Sequence, residues 1–356
     1  MRMRPAAPFL CALLLAASGA LAADPRPAPP PPTPPAQADP DVQSYDEPGL
    51  LERQHEWTLY AADGILRLER PSASPSMERR LALLGIDEVM HYPAVPEDCP
   101  AARAFLLRRL SLAADQMEST QVDDGAVVWK LYNHTFIVKT RSVTLAFDLT
   151  RTWWGQTRHD GELEAVTERI VELCDAMFVS HEHFDHRDGW VVDAFRDREK
   201  LVIEPSGIFE RSESTAYELG LAGGRIEFVL LPGYQGDLPN NVTVVRTPEG
   251  LAFCHTGDLF QQNSTPTDMF EWIDRVKERH RVDVLMVNNW VMKMPRVVRG
   301  FDPAVVITGH ENEVGHAIEK RKPHFLSFDR AAGLDRPAIV MTWGESYYYA
   351  GPPRAE

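Results

Sequence analysis

The turn at residues 181–186 concentrates side chains that bind metal ions. It reads His-Glu-His-Phe-Asp-His, so three imidazoles and a carboxylate fall within six consecutive residues. Imidazole and carboxylate groups bind borderline divalent cations at neutral pH without redox chemistry of their own. Side chains of this kind, placed so close together, are expected to converge around one ion or two. The turn therefore predicts a metal centre.

Buried strands must position this turn. Residues 176–180 form an apolar run directly before it, and α/β folds place their chemistry at the carboxyl ends of such strands. Asp148, Asp258 and His310 each end or closely follow another apolar run. We expect these polar side chains to meet the turn in space around at least one divalent cation.

The order of these motifs resembles the metallo-β-lactamase-fold superfamily of metallohydrolases. The His-x-His-x-Asp-His motif is preceded by Asp148 and followed by Gly257-Asp258 and Gly309-His310. The resemblance is closer to the ascorbate-phosphate lactonase and N-acyl phosphatidylethanolamine phospholipase D branches than to true β-lactamases. It implies a four-layer αβ/βα sandwich, in which two mixed β-sheets face each other and helices cover their outer sides.

The resemblance also implies a ligand set for one or two ions, most plausibly Zn²⁺, with Mn or Fe as alternatives. It assigns His181 and His183 to a first ion, Asp185, His186 and His310 to a second, and Asp258 as a bridge between them. Asp148 would support the ligand turn, and Glu311 and Asn312 would orient His310. The spacing is compatible with this set, because residues i and i+2 of an extended turn point the same way.

The chain departs from the family at the first ion. The family supplies a third histidine between the turn and the bridging aspartate, but no histidine occurs from Arg187 to Cys254. Tyr234 stands where that ligand is expected, and three neighbouring or nearby residues could substitute or line the cleft: Gln235, Asp237 and His255. The sequence leaves open whether the chain uses one ion, uses such a substitute, or is inactive.

For a competent site the resemblance implies metal-assisted hydrolysis of a small ester, lactone, amide or phosphoester. A divalent ion lowers the pKa of bound water from about 15.7 toward 7, and the resulting hydroxide attacks the carbonyl or phosphoryl centre. Asp185 would hold the attacking water and take its proton. Two other interpretations stay open: a metal-bearing redox enzyme on the same fold, and a metal-poor or inactive binding protein of the cell envelope.

The N-terminus predicts export. A basic start, an apolar run and the small residues around Ala22 form a signal peptide at 1–22 with cleavage after Ala22, and therefore a periplasmic or secreted protein. Residues 23–46 form a Pro-rich linker. A helical extension is expected at 47–122 and the metallo-β-lactamase-like domain at 123–356. Within that domain, strands alternate with helices, two of them predicted over residues 215–219 and 268–280.

Charge and cysteines narrow the function further. The 356-residue chain has a formal net charge of −15 and no evident basic stripe, which disfavours nucleic-acid binding and favours a small-molecule substrate. After signal cleavage no segment is long and apolar enough to span a membrane. Cys99, Cys174 and Cys254 then remain, so at most one internal disulfide is possible and the chain is no disulfide scaffold.

Overall fold

A computed structural model describes the chain in four ranges, 47–92, 99–205, 209–260 and 270–352. The predicted signal peptide at 1–22 and the linker at 23–46 lie outside the described residues. Within the four ranges, no helix combines the length and apolar character that crossing a membrane requires.

Three helices come first, and strands and helices then alternate. The helices are α1 (Glu47–Leu68), α2 (Met77–Met90), α3 (Pro100–Ser119), α4 (Thr152–Arg158), α5 (Gly161–Leu173), α6 (Gly189–Arg196), α7 (Glu271–Asp274), α8 (Val276–Arg279), α9 (Met294–Phe301) and α10 (His324–Ala331). The strands are β1 (Ala126–Lys130), β2 (Phe136–Lys139), β3 (Thr144–Phe147), β4 (Ala176–Phe178), β5 (Leu201–Ile203), β6 (Tyr217–Leu221), β7 (Gly224–Gln235), β8 (Leu238–Arg246), β9 (Ala252–His255), β10 (Val284–Asn288), β11 (Val305–Gly309), β12 (Ala338–Ile339) and β13 (Glu345–Tyr349).

The strands form two mixed sheets. Sheet A has the order β13-β1-β2-β3-β4-β5, antiparallel from β13 to β3 and parallel from β3 to β5. Sheet B has the order β12-β11-β10-β9-β8-β7-β6, parallel from β12 to β9 and antiparallel from β9 to β6. Parallel pairing brings the carboxyl ends of β3 and β4 to one edge of sheet A, and those of β9, β10 and β11 to one edge of sheet B.

Residue alternation in the strands builds three cores. In β3, Leu145 and Phe147 belong to the central core between the sheets, whereas Ala146 faces the helices outside sheet A. Successive side chains of a strand point to opposite faces, so a strand buried on both faces is apolar throughout. A third core joins sheet B to α7, α8 and α9. This is a four-layer sandwich with outer helices, and the predicted fold class is confirmed.

The three N-terminal helices pack on the outer face of sheet A. Arg79 of α2 donates to both carboxylate oxygens of Glu345 at the start of β13, over 2.8 and 2.6 Å. Arg109 of α3 donates from Nε to the carbonyl of Trp343 over 2.9 Å, and Phe105 packs against the Trp343 ring. Residues Glu47–Glu356 form one compact unit, so the predicted helical extension shares a core with the sandwich.

One predicted helix is a strand. The chain forms β6, paired with β7, where the sequence predicts a helix over residues 215–219. Tyr217, Leu219 and Leu221 are half-buried and alternate with more exposed residues, a period of two that favours a strand on a sheet edge. Of the helix predicted over 268–280, the described part contains α7 and α8, separated by one residue.

Candidate metal centre

The predicted ligands converge at the carboxyl ends of strands from both sheets. β4 leads into the turn at 181–186, β9 leads to Asp258, and β11 leads directly to His310. The backbone N–H of Asn241 in β8 donates to the carbonyl of Ser180 over 2.8 Å and joins the two sheets at this edge. The turn and the two strand ends are therefore brought together by the topology of the sandwich.

Four buried side chains form what we call the second-ion group: Asp185, His186, Asp258 and His310. His186 Nε2 lies 3.0 Å from Asp185 Oδ2 and 3.3 Å from Asp258 Oδ1. His310 Nε2 lies 3.1 Å from the same Asp258 Oδ1 and 3.5 Å from Asp185 Oδ2. Two imidazole nitrogens and two carboxylate oxygens thus face one another in a buried space.

Three side chains form the first-ion group: His181, His183 and Asp258. His181 Nε2 lies 3.1 Å from His183 Nδ1 and 3.8 Å from Asp258 Oδ2. His181 is buried, whereas His183 is exposed. Asp258 directs Oδ1 to the second-ion group and Oδ2 to the first, which is the arrangement that a bridging carboxylate requires.

Asp148 and Ser180 fix the orientation of two imidazoles. Asp148 accepts hydrogen bonds from the Ser180 N–H over 2.7 Å, from the Ser180 hydroxyl over 2.6 Å and from His186 Nδ1 over 2.6 Å. Because the Ser180 hydroxyl donates to Asp148, its oxygen accepts from His181 Nδ1, 2.9 Å away. Both rings therefore carry their proton on Nδ1 and present the Nε2 lone pair to the candidate site.

Unpartnered polar atoms test whether these residues suit a metal ion. His186 Nε2, His310 Nε2 and Asp258 Oδ1 are buried and make no hydrogen bond of normal geometry. Buried polar atoms without partners cost free energy, and such groups in native proteins are normally paired or coordinate an ion. The donor set of two imidazoles and two carboxylates suits a divalent cation such as zinc. The residues present fit a metal ion.

The electrostatic field points the same way. Burial alone would lower the pKa of His186, but the carboxylates of Asp185 and Asp258 raise it well above its ordinary value. The same opposition raises the pKa of His310 to about 10, whereas burial and the neighbouring His186 lower the pKa of His181 to about 3. Burial would raise the pKa of Asp258, yet His186 and His310 hold it well below its usual range. The field that favours protonated imidazoles here would equally favour a bound cation.

Two side chains that sequence reasoning missed lie in the hairpin turn between β1 and β2. Asn133 Nδ2 donates to Asp185 Oδ2 over 2.9 Å, and the Asn133 carbonyl accepts from the His310 N–H over 2.9 Å. His134 is fully buried, its ring 4.3 Å from that of His255, and burial lowers its pKa well below the ordinary value. The signal available was a polar Asn-His pair between two apolar strands, which is also the ordinary composition of a turn.

Asn240 in β8 was missed as well. Its Nδ2 donates to the carbonyl of Thr256 over 2.8 Å, and its Oδ1 accepts from the Asp258 N–H over 3.1 Å. Gly257 between them has a φ of +53°, and a Cβ there would meet Asn240 Oδ1 and the Ser180 side chain. Only glycine fits this position, and Asn240 thereby sets the backbone that carries Asp258.

The four possible first-ion substitutes lie in different places. Gln235 Nε2 donates to Asp258 Oδ2 over 3.0 Å, so Gln235 belongs to the site. The ring of Tyr234 lies under the Arg211 guanidinium at 5.0 Å, and Asp237 lies in the turn between β7 and β8. His255 contacts Asp148 at 3.8 Å and the His134 carbonyl at 3.0 Å, behind the candidate ligands.

The orientation of His310 differs from the expectation. Glu311 pairs with the buried Lys130, and Asn312 donates to Asp87 Oδ1 over 2.8 Å, so the hydrogen bonds of both side chains go elsewhere. The group nearest to His310 Nδ1 on this side is Glu313 Oε2, at 3.8 Å. The prediction that Glu311 and Asn312 orient His310 is therefore wrong in its contacts, since successive residues of the loop after β11 turn to different sides.

Cys99, Cys174 and Cys254 are all buried and free, and the groups of possible metal ligands found in the described ranges include none of them. Burial raises the pKa of the Cys254 thiol well above its ordinary value, which favours the uncharged form. These cysteines are small packing residues, as predicted for Cys174 and Cys254.

No protein-family model and no curated protein matches the chain. Several solved structures are similar, among them Igni18, a metallo hydrolase from the archaeon Ignicoccus hospitalis (16% identity, TM-score 0.45, 64% of this chain and 99% of that one). A Thermotoga maritima protein assigned to the metallo-β-lactamase superfamily of zinc-dependent hydrolases is 18% identical (TM-score 0.36, 61% and 98%). CmlA, a diiron β-hydroxylase from Streptomyces venezuelae, is 12% identical (TM-score 0.43, 64% and 55%).

These neighbours agree with the superfamily inferred from the sequence motifs. The narrower branch of lactonases and phospholipase D enzymes stays a prediction. At identities of 12% to 18% and TM-scores of 0.36 to 0.45, the similarities do not extend to substrate or reaction.

Proposed function

We propose that this chain is an exported, metal-dependent hydrolase of a small ester, lactone, amide or phosphoester. The observation that carries the proposal is the buried second-ion group, in which His186 Nε2, His310 Nε2 and Asp258 Oδ1 face one another without hydrogen-bond partners. Leaving three polar atoms in this state would be costly in a purely structural core. A cation-binding role accounts for all three.

Asp185, His186, Asp258 and His310 would hold the principal ion, which we expect to be Zn²⁺. A divalent ion so held polarises the oxygen of the scissile group and lowers the pKa of a bound water to about 7. The protein supplies the orientation: Asp148 holds His186 through Nδ1 so that Nε2 points inward. A ring fixed in this way is preorganised for binding and need not reorient.

Asp185 is the residue we assign to the proton. Attraction to His186 holds the pKa of its carboxyl well below the usual range although burial opposes it, so Asp185 is ionised at neutral pH. The Asn133 amide fixes Oδ2 by donating to it over 2.9 Å. An ionised, oriented carboxylate can accept a hydrogen bond from the attacking water and then take its proton.

Aromatic side chains around the group favour a small substrate with an apolar part. Phe184 is 40% exposed and packs against Trp153 at 5.7 Å between ring centroids. On another side, Trp290 packs edge-on against His310 at 5.6 Å and contacts Phe260. Small-molecule sites are commonly lined by such rings with a few polar groups at one end.

The test is metal content combined with turnover. The mature protein is purified, its zinc, iron and manganese are measured by mass spectrometry, and it is assayed on a panel of esters, lactones, amides and phosphodiesters before and after chelation. We expect bound metal and a hydrolytic activity that chelation removes and zinc restores. His186→Ala should lose both, whereas His280→Ala, distant in the sequence and bonded to the Glu213 carbonyl, is the matched control.

Two results would contradict the proposal. Bound iron with oxygen consumption and no hydrolysis would indicate a redox enzyme, and absence of both metal and turnover would indicate a binding protein. Export is tested separately, by cell fractionation and sequencing of the mature N-terminus. We expect it to begin at Ala23, and a full-length cytoplasmic protein would refute the export part alone.

A further inference from the structure

Gln235 is placed where it can control the first-ion group. It is the last residue of β7, and its Nε2 donates to Asp258 Oδ2 over 3.0 Å. That oxygen is the Asp258 atom that faces His181 Nε2, 3.8 Å away. The remaining amide atom, Gln235 Oε1, is buried and has no hydrogen-bond partner. The amide therefore sits against the one carboxylate oxygen that belongs to the first-ion group.

The hairpin around Gln235 is held firmly. The Phe260 N–H donates to the Tyr234 carbonyl over 2.8 Å, which ties the end of β7 to the segment after Asp258. Tyr234 directs its ring away, to Arg211, because adjacent residues of a strand point to opposite faces. The third donor of the first-ion group is thus determined by residue 235, and residue 234 has no access to it.

The two ion groups differ in the donors they offer. The second-ion group has two imidazoles and two carboxylates, all buried. The first has the exposed His183, the buried His181 and an Asp258 oxygen already engaged by the Gln235 amide. A carboxamide oxygen is a harder and weaker ligand for zinc than the imidazole that a histidine would bring.

From this asymmetry we infer that Gln235 makes the two groups unequal, so that the chain takes one Zn²⁺ tightly at the second-ion group and another only weakly at the first. The inference rests on the proposed function, since it presupposes that the cluster binds a divalent cation. It assigns a specific determinant: the amide at position 235 in place of an imidazole. A histidine there would complete a first site of three imidazoles and a shared carboxylate.

The experiment counts ions directly and does not depend on activity. Metal-free protein is titrated with Zn²⁺ alone, stoichiometry is read by native mass spectrometry, and affinities are obtained by competition with a chromophoric chelator. We expect one tight ion in the wild type, with the second bound at least about tenfold more weakly. Gln235→His should bring the second affinity close to the first. Tyr234→His is the matched control and should leave both steps unchanged, as should Gln235→Leu for the tight ion.

The outcomes separate this inference from the proposed function. If the wild type binds two ions with equal affinity and hydrolyses a substrate, the inference fails and the proposed function stands. If it binds none, both fail. A second ion strengthened by Tyr234→His, or left unchanged by a Gln235→His variant with a wild-type circular dichroism spectrum, would also overturn the role given to Gln235.

Discussion

Asn133 is the most informative residue to change, because a single amide connects a turn of sheet A to Asp185. Its Nδ2 donates to Asp185 Oδ2 over 2.9 Å, and both residues are buried. A hydrogen bond to a charged group contributes about 1.5–3 kcal/mol. Since each 1.4 kcal/mol is about a factor of ten, loss of this bond should weaken ion binding by about 10–100-fold. Asn133→Gly removes the amide and keeps the backbone.

The choice of glycine follows from the backbone. Asn133 has a φ of +51°, a region that glycine adopts freely and that costs alanine about 1–2 kcal/mol. Glycine also retains the carbonyl that accepts from the His310 N–H. Asn133→Ala should therefore match Asn133→Gly in ion affinity but unfold more easily by about 1–2 kcal/mol. The difference isolates the strain of the turn from the loss of the amide.

The assay is chelator competition for Zn²⁺, with urea unfolding of the metal-free proteins alongside. We expect the dissociation constant of Asn133→Gly to rise by about 10–100-fold. A glycine variant that folds normally and binds zinc with wild-type affinity would refute the reasoning, because Asp185 would then be either free of Asn133 or no ligand at all.

Three further predictions concern stability. Arg79→Met leaves Glu345 buried without its partner and should lower the free energy of unfolding by about 3–5 kcal/mol in urea titrations, so a loss below about 1 kcal/mol would contradict the anchoring role of that pair. Burial would raise the pKa of Asp87, but His324 holds it below 3.8; Asp87 therefore stabilises the fold above that pH, and its contribution is lost as the pH falls through the folded pKa. The stability gap between wild type and Asp87→Asn should be constant at neutral pH and close in acid, and a gap that widens in acid would be inconsistent with this sign. Gly257→Ala should lower thermal stability and ion affinity together, because φ is +53° there and the added Cβ meets neighbouring atoms, whereas wild-type behaviour would show that the loop relaxes freely.

The sequence was most informative where chemistry follows directly after a strand. The turn at 181–186, Asp258 and His310 each sit at the end of an apolar run, so their meeting required only that the strands lie parallel and adjacent. Asp148 behaves in the same way. Its carboxylate reaches His186 because β3 and β4 are neighbours in sheet A.

Other parts of the site depend on which element lies beside which, and spacing along the chain does not contain that information. Asn133 and Asn240 reach Asp185 and Asp258 from strands distant in sequence, and both read as ordinary polar residues of a hairpin. The choice between Tyr234 and Gln235 was a question of parity. A shift of one residue in a strand exchanges its faces, so the motif position alone could not decide it.

The central claim is that Asp185, His186, Asp258 and His310 share a cation, and anomalous diffraction tests it most directly. Crystals grown with one equivalent of Zn²⁺ are measured on both sides of the zinc absorption edge. We predict an anomalous peak about 2.0–2.2 Å from His186 Nε2, His310 Nε2 and Asp258 Oδ1. Zinc bound stoichiometrically elsewhere on the protein, with no peak among these atoms, would contradict it.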